Sequence, residues 1–116
     1  MAAEGVDNLK KSEGRIQDEI LIELSKIDGV LAQRNNVGQA RMSNGSHVRY
    51  GVGGKGGSDL ILCARGLYVA LEIKTPKGRL SLDQERYGAA VELNGGKFIV
   101  ARSAEEAIEK VMGVIE

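Results

Sequence analysis

The sequence predicts a single α/β domain, and three observations carry that prediction. Apolar residues recur at helical spacing from Ile16 to Ile27, two strand-like runs flank the dipeptide Arg65-Gly66, and a helix, a strand and a second helix follow from Ser81 onward. The 116 residues form one predicted domain, 1–116, long enough for a single hydrophobic core. With 42% hydrophobic residues and a formal net charge of zero, the chain is neither generally disordered nor a uniformly basic binder of polyanions.

The first element is an amphipathic helix opening at Ser12 and ending before Asp28-Gly29. Its Ile16, Ile20, Leu21, Leu24 and Ile27 gather on one face. Glu13 falls near the centre of that apolar arc, Gln17 lies beside it, and Glu19 points the other way. Val30-Leu31-Ala32 begins a short strand, and the polar stretch Gln33-Arg34-Asn35-Asn36-Val37-Gly38 suits phosphate contact. His47-Val48-Arg49-Tyr50 reads as a short strand or a loop, with its histidine an ordinary surface residue. Five glycines in residues 51–57 either cradle an anion with backbone amides or act as a flexible linker. They do not form a Walker loop, because Lys55 is followed by two glycines rather than by Ser or Thr.

The runs from Asp59 to Ala64 and from Tyr68 to Lys74 are joined by Arg65-Gly66, so an antiparallel hairpin is the economical reading. Side chains alternate along a strand, which puts Glu72 and Lys74 on one face and Val69, Leu71 and Ile73 on the other. A register centred on Arg65-Gly66 sets Asp59 opposite Glu72, within about 5 Å. Two carboxylates at that range repel unless a proton or cation lies between them. Mg²⁺ suits such a pair, since it takes oxygen ligands and bridges to phosphate. Lys74 then holds a water or neutralises charge on the phosphate. The plainer reading is a strand end carrying a solvated ion pair. Glu13 is the candidate third carboxylate, or else only complements its helix dipole.

Ser81-Leu82-Asp83-Gln84 opens the next helix with a capping-box pattern, leaving Gln84 either a cap alone or a site residue. That helix runs through Tyr87, Ala90, Val91 and Leu93 and stops at Gly95-Gly96. Lys97 to Ala101 reads as a buried strand. Ser103 caps a last helix carrying Ala107, Ile108, Val111, Met112 and Ile115. Cys63, the lone cysteine, is expected to be a buried, inert thiol, which excludes an intrachain disulfide and a cysteine-based zinc site. No run approaches the roughly 20 apolar residues of a membrane span. Met1 to Lys11 lacks a signal-peptide core, so an intracellular, cytoplasmic or nucleoid-associated location is expected.

Zero net charge hides an uneven distribution. Residues 31–79 hold eight basic residues against two acids, Asp59 and Glu72, a balance of +6, while 1–30 and 80–116 each hold four basic and seven acidic residues, −3 apiece. The only acids of the basic segment are thus the two candidate metal ligands, as a phosphate-binding surface built around a cation requires. Aromatic residues make up only 3% of the chain, so backbone contact with duplex is more natural than stacking on unpaired bases.

Gly57-Ser58-Asp59, then Glu72-Ile73-Lys74-Thr75-Pro76-Lys77-Gly78-Arg79-Leu80-Ser81 and Gln84, closely resemble the virus-type replication-repair nuclease (VRR-NUC) domain of the PD-(D/E)xK nuclease superfamily. The resemblance runs from Ser12-Glu13 with Ile16-Gln17, through Arg34-Asn35-Asn36-Val37-Gly38, to Gly95-Gly96 and Ala101-Arg102-Ser103. It implies a restriction-endonuclease-like αβββαβ core, a central mixed sheet flanked by helices. It also implies divalent-metal-dependent cleavage of DNA and kinship with Holliday junction resolvases. Carried over by position, Glu13, Asp59 and Glu72 are metal ligands, with the Ile73 backbone carbonyl as a further one, Lys74 is the site lysine, and Gln84 matches the family's glutamine. The expected cofactor is Mg²⁺, with Mn²⁺ as substitute, and the expected partners are branched duplex DNA and a second copy of the chain. Arg34, Asn35, Arg49, Lys55, Lys77 and Arg79 are the expected DNA contacts. Ser58 stands where the superfamily's usual motif has proline, in agreement with the VRR-NUC pattern. The rival from another class is a non-catalytic module that recognises branched DNA with a degenerate nuclease fold.

Overall fold

The computed structural model describes residues 12–116, so Met1 to Lys11 lie outside the described residues. Helix α1 (Glu13–Leu24) starts where the Ser12 hydroxyl accepts from the Arg15 N–H, and it buries Ile16, Ile20 and Leu24. Residues 25–27 tighten into a turn in which the Ile27 N–H bonds the Leu24 carbonyl at 3.1 Å, so the helix closes sooner than its apolar spacing suggests.

Strand β1 (Val30–Arg34) pairs antiparallel with β4 (Leu60–Ala64), β4 antiparallel with β5 (Leu67–Ile73), and β5 parallel with β6 (Lys97–Ala101), giving the mixed order β1-β4-β5-β6. The β4–β5 register is the one read from the sequence, with Ala64 opposite Leu67 and Leu60 opposite Leu71. Both turn residues take positive φ, Arg65 at 50° and Gly66 at 85°, matching the twist of the hairpin. Just beyond that ladder the Asp59 side chain bonds the Ile73 N–H, next to Glu72.

Helix α2 (Leu82–Leu93) crosses between β5 and β6. It ends in a Schellman motif, with the Gly96 N–H bonding the Val91 carbonyl at 3.0 Å and Gly95 at a φ of 92°. Helix α3 (Ala104–Ile115), capped by Ser103, follows β6. The main core unites α1, α3 and one face of the sheet: Ile16, Ile20 and Leu24 meet Leu60, Leu62, Val69, Leu71, Ile99, Ala107 and Val111. On the other face α2 lies against β5 and β6. Gly88 is required there, because a Cβ would enter the Phe98 ring.

One expectation changes. Cys63 is exposed, not buried: Leu31 across the ladder is exposed as well, and Tyr68 on its other side reaches Tyr87 of α2 through its hydroxyl. Leu93 is likewise exposed, because α2 buries only Gly88 and Val91. A further strand was not anticipated. β2 (Gly38–Arg41) pairs antiparallel with β3 (His47–Tyr50) as a separate two-stranded ribbon with no bond to the main sheet.

The glycine-rich segment is a packed element rather than a loose linker. Gly54–Gly56 form a 3₁₀ turn, and Gly56 is buried against the start of α2, where a Cβ would collide with the Asp83 carbonyl oxygen. Among the described residues no helix is long and apolar enough to cross a membrane.

Candidate active site

The site forms where β4 begins and β5 ends, beside the first turn of α2. Glu72 is 3% exposed although it is an acid, and Ser58, just ahead of Asp59, is buried with its hydroxyl donating to the Leu60 carbonyl at 2.9 Å. The Asp59 Oδ2 accepts from the Ile73 N–H at 2.8 Å, which ties the two strand ends together. Since the Lys74 N–H bonds Ala101 on β6, the peptide groups of Ile73 face the opposite edge. The Ile73 N–H and carbonyl therefore share the strand edge that faces Asp59.

Lys74 shares the face of Glu72, and its Nζ lies 3.6 Å from Glu72 Oε2. The two readings of Gln84 prove compatible. Its Oε1 accepts from the Ser81 N–H at 2.8 Å while the Ser81 hydroxyl accepts from the Gln84 N–H, completing the capping box. The Nε2 of the same side chain donates to Glu72 Oε2 at 2.9 Å. Capping thus fixes the amide that orients the carboxylate.

Glu72 Oε1 is buried and, among the described residues, has no hydrogen-bond partner. Burial first, and then the negative charge of Asp59, push the Glu72 carboxyl up from 4.5 to about 7, against the opposing pull of Lys74. A proton or a cation satisfies an oxygen placed so. An all-oxygen pair with one unsatisfied atom fits a divalent cation such as Mg²⁺, and Asp59 and Glu72 are the side chains able to hold it.

Glu13, the expected third ligand, is near enough for its charge to push the Glu72 carboxyl up. Among the described residues no three His, Cys, Asp or Glu side chains gather at metal-binding range. Glu13 is exposed in the first turn of α1, where it complements the helix dipole, and its charge is the weakest of the influences acting on Glu72.

A VRR-NUC domain model matches residues 11–105, a span that contains every member of this cluster. The chain belongs to the VRR-NUC family. This is a family of nucleases, and the fold is accordingly of nuclease type. A solved structure described as a VRR-NUC domain is similar over 86% of this chain and 94% of its own, at 19% sequence identity and a TM-score of 0.59, a likeness of fold. No curated protein matches.

In this VRR-NUC chain the expected DNA contacts divide into two groups. Lys77 and Arg79 are exposed on the turn after β5. Arg102 holds that turn by donating from Nη1 to the carbonyls of Thr75 and Gly78 at 2.6 and 2.7 Å. Arg49 is exposed on the ribbon. The other three are engaged within the protein. Arg34 pairs with Asp18 and bonds Gln17, and Lys55 pairs with Asp83 at 3.6 Å. Asn35 has both amide hydrogens taken up, by the carbonyls of Val52 at 2.7 Å and Ser58 at 3.0 Å, while its Oδ1 accepts from the Val52 N–H.

Asn35 is thus a clamp between the site and the ribbon, a role its place in a polar stretch did not reveal. Gln17 was equally inconspicuous. It donates to the Asp59 carbonyl at 3.4 Å and so links α1 to the start of β4. Arg102 carried a signal only as part of the family resemblance. All three act on backbone carbonyls that become neighbours only in the fold.

Proposed function

We propose that the protein is a divalent-metal-dependent, structure-specific DNA endonuclease. Its substrate in this reading is a four-way junction or a related branched intermediate, cut by phosphodiester hydrolysis. The observation that carries the proposal is the buried, partnerless Glu72 Oε1 beside Asp59. A carboxyl raised from 4.5 to about 7 costs about 3 kcal/mol when ionised at neutral pH. A scaffold with only a binding role has no physical reason to keep that cost.

Asp59 and Glu72 would hold one Mg²⁺, for which Mn²⁺ can substitute, with the Ile73 carbonyl beside them. When bound, such an ion lowers the pKa of water and screens the phosphate charge. Gln84 keeps the Glu72 carboxylate in one orientation, and Lys74 offsets negative charge as it builds on the phosphate oxygens. Water adds to phosphorus and gives a proton to solvent, while the bond to the sugar oxygen breaks and that oxygen takes a proton from solvent as it leaves. Lys77 and Arg79 grip the DNA backbone near the reacting phosphate. A two-fold symmetric junction suits a symmetric homodimer, in which each copy supplies one site.

Cleavage of labelled four-way junction, flap and linear duplex in Mg²⁺ or Mn²⁺ and in EDTA tests this reading. The wild type is expected to cut the branched DNA only with metal, and Glu72→Ala to lose at least 100-fold of that activity. Tight binding without cleavage in any metal would make the protein a recognition module instead.

A further inference from the structure

The β2–β3 ribbon stands off the body of the protein, and every residue from 39 to 53 is exposed. A two-stranded ribbon this exposed is marginal in water, so its persistence needs local support. That support is visible at both ends. At the tip the Met42 N–H bonds the Ser46 carbonyl at 2.7 Å, and Asn44 Oδ1 accepts from the Ser46 N–H and hydroxyl. At the root the Tyr50 ring lies on Gly38, and the Asn35 clamp binds Val52 to Ser58, the residue before Asp59.

The pairing sorts the side chains by chemistry. Gln39 opposes Arg49 and Arg41 opposes His47, so these four share one face. Ala40 and Val48 oppose each other on the other face, with Tyr50 above Gly38. The polar face therefore presents two guanidiniums, an imidazole and an amide, and residues 36–58 contain no Asp or Glu to neutralise them. A two-stranded ribbon of this width fits the major groove of duplex DNA, roughly 12 Å wide, where arginine and glutamine can meet both phosphates and base edges.

We propose that the Gln39, Arg41, His47 and Arg49 face of the ribbon is a second DNA-contact surface, lying along a duplex arm beside the cleavage site. This rests on the nuclease reading above and extends it. Through Asn35 the arm held by the ribbon is in fixed register with Asp59, so the ribbon sets which phosphate reaches Glu72.

The test is equilibrium binding of junction and duplex DNA in EDTA between 50 and 200 mM salt, with cleavage in Mg²⁺ scored separately. It compares wild type, Arg41→Ala/Arg49→Ala, and the control Lys26→Ala/Lys97→Ala. The control removes equal charge at the sheet end away from the site. Two phosphate contacts correspond to about 1.8 log units of affinity per tenfold salt, or about twelvefold across this range. The ribbon variant is expected to lose that much less affinity than wild type as salt rises, to bind more weakly at 50 mM, and to cut at displaced positions. The control is expected to behave as wild type. A ribbon variant with the wild-type salt slope, or a wild type that binds no DNA, overturns the inference. A wild type that binds with the ribbon-dependent slope but cleaves nothing overturns the nuclease reading alone.

Discussion

Glu72, Gln84 and Asn35 show how single side chains serve the fold and the site together. Below pH 4.5 the Glu72 carboxyl is protonated in both the folded and the unfolded chain and carries no penalty. Between 4.5 and about 7 the unfolded chain releases its proton while the folded chain keeps it, so stability falls as pH rises. Above that window the loss is complete at about 3 kcal/mol. Glu72→Gln removes the titration while keeping the shape. In EDTA the variant is expected to match wild type near pH 4 and to exceed it at pH 8 by up to that amount. Urea unfolding at both pH values measures the difference, and equal stability at pH 8 would mean that the buried carboxylate is relieved by other means.

At the scale of elements, the site depends on how closely the 3₁₀ turn approaches α2. Gly56 sits on the Asp83 carbonyl, one residue from Gln84, so that contact sets where the helix begins and therefore where the Gln84 amide meets Glu72. Backbone rather than a flexible side chain stands in the way of any Cβ at this position. Gly56→Ala should cost about 2 kcal/mol by overpacking. It should also lower cleavage, while an alanine at Gly113, exposed on α3 with open space around its Cβ position, should leave cleavage unchanged. Thermal unfolding and the cleavage assay on both variants separate these effects. Glycine content alone left linker and anion cradle equally open. The structure reveals a third use, close packing, because the contact partner lies about 27 residues further along the chain.

For the whole molecule, the charge pattern matters more than its sum. The pI is 6.6, yet residues 31–79 carry +6 between two flanks of −3. The protein should therefore bind heparin and duplex DNA at pH 8, where its net charge is negative, and elute with salt. Retention on a heparin column at pH 6 and at pH 8 checks this, and flow-through at both would mean that the basic segment is neutralised by its own flanks. The Arg34–Asp18 and Lys55–Asp83 pairs show how far that neutralisation goes within the described residues. Arg41, Arg49, Lys77 and Arg79 are left on the exposed surface.

Local sequence determined the parts of this protein whose rules are local. A two-residue turn fixes a hairpin register, so Asp59 could be set against Glu72. A Ser-x-x-Gln pattern announces a cap, and helical spacing locates the core faces of α1 and α3. The sequence left Gln84 as a cap or a site residue and the family resemblance matched it to the family's glutamine, while the structure shows one side chain making both contacts. Tertiary structure alone decided the rest. Whether Cys63 meets solvent depends on how much of the sheet α2 covers, and whether Glu13 reaches Glu72 depends on the placement of α1. The ribbon alternates polar with small or apolar residues yet leaves residues 39–50 all exposed, and the Asn35 clamp joins backbone groups that lie 17 and 23 residues away from it. Periodicity records what a segment buries along its own length. It carries no information about which distant carbonyl a polar side chain will find.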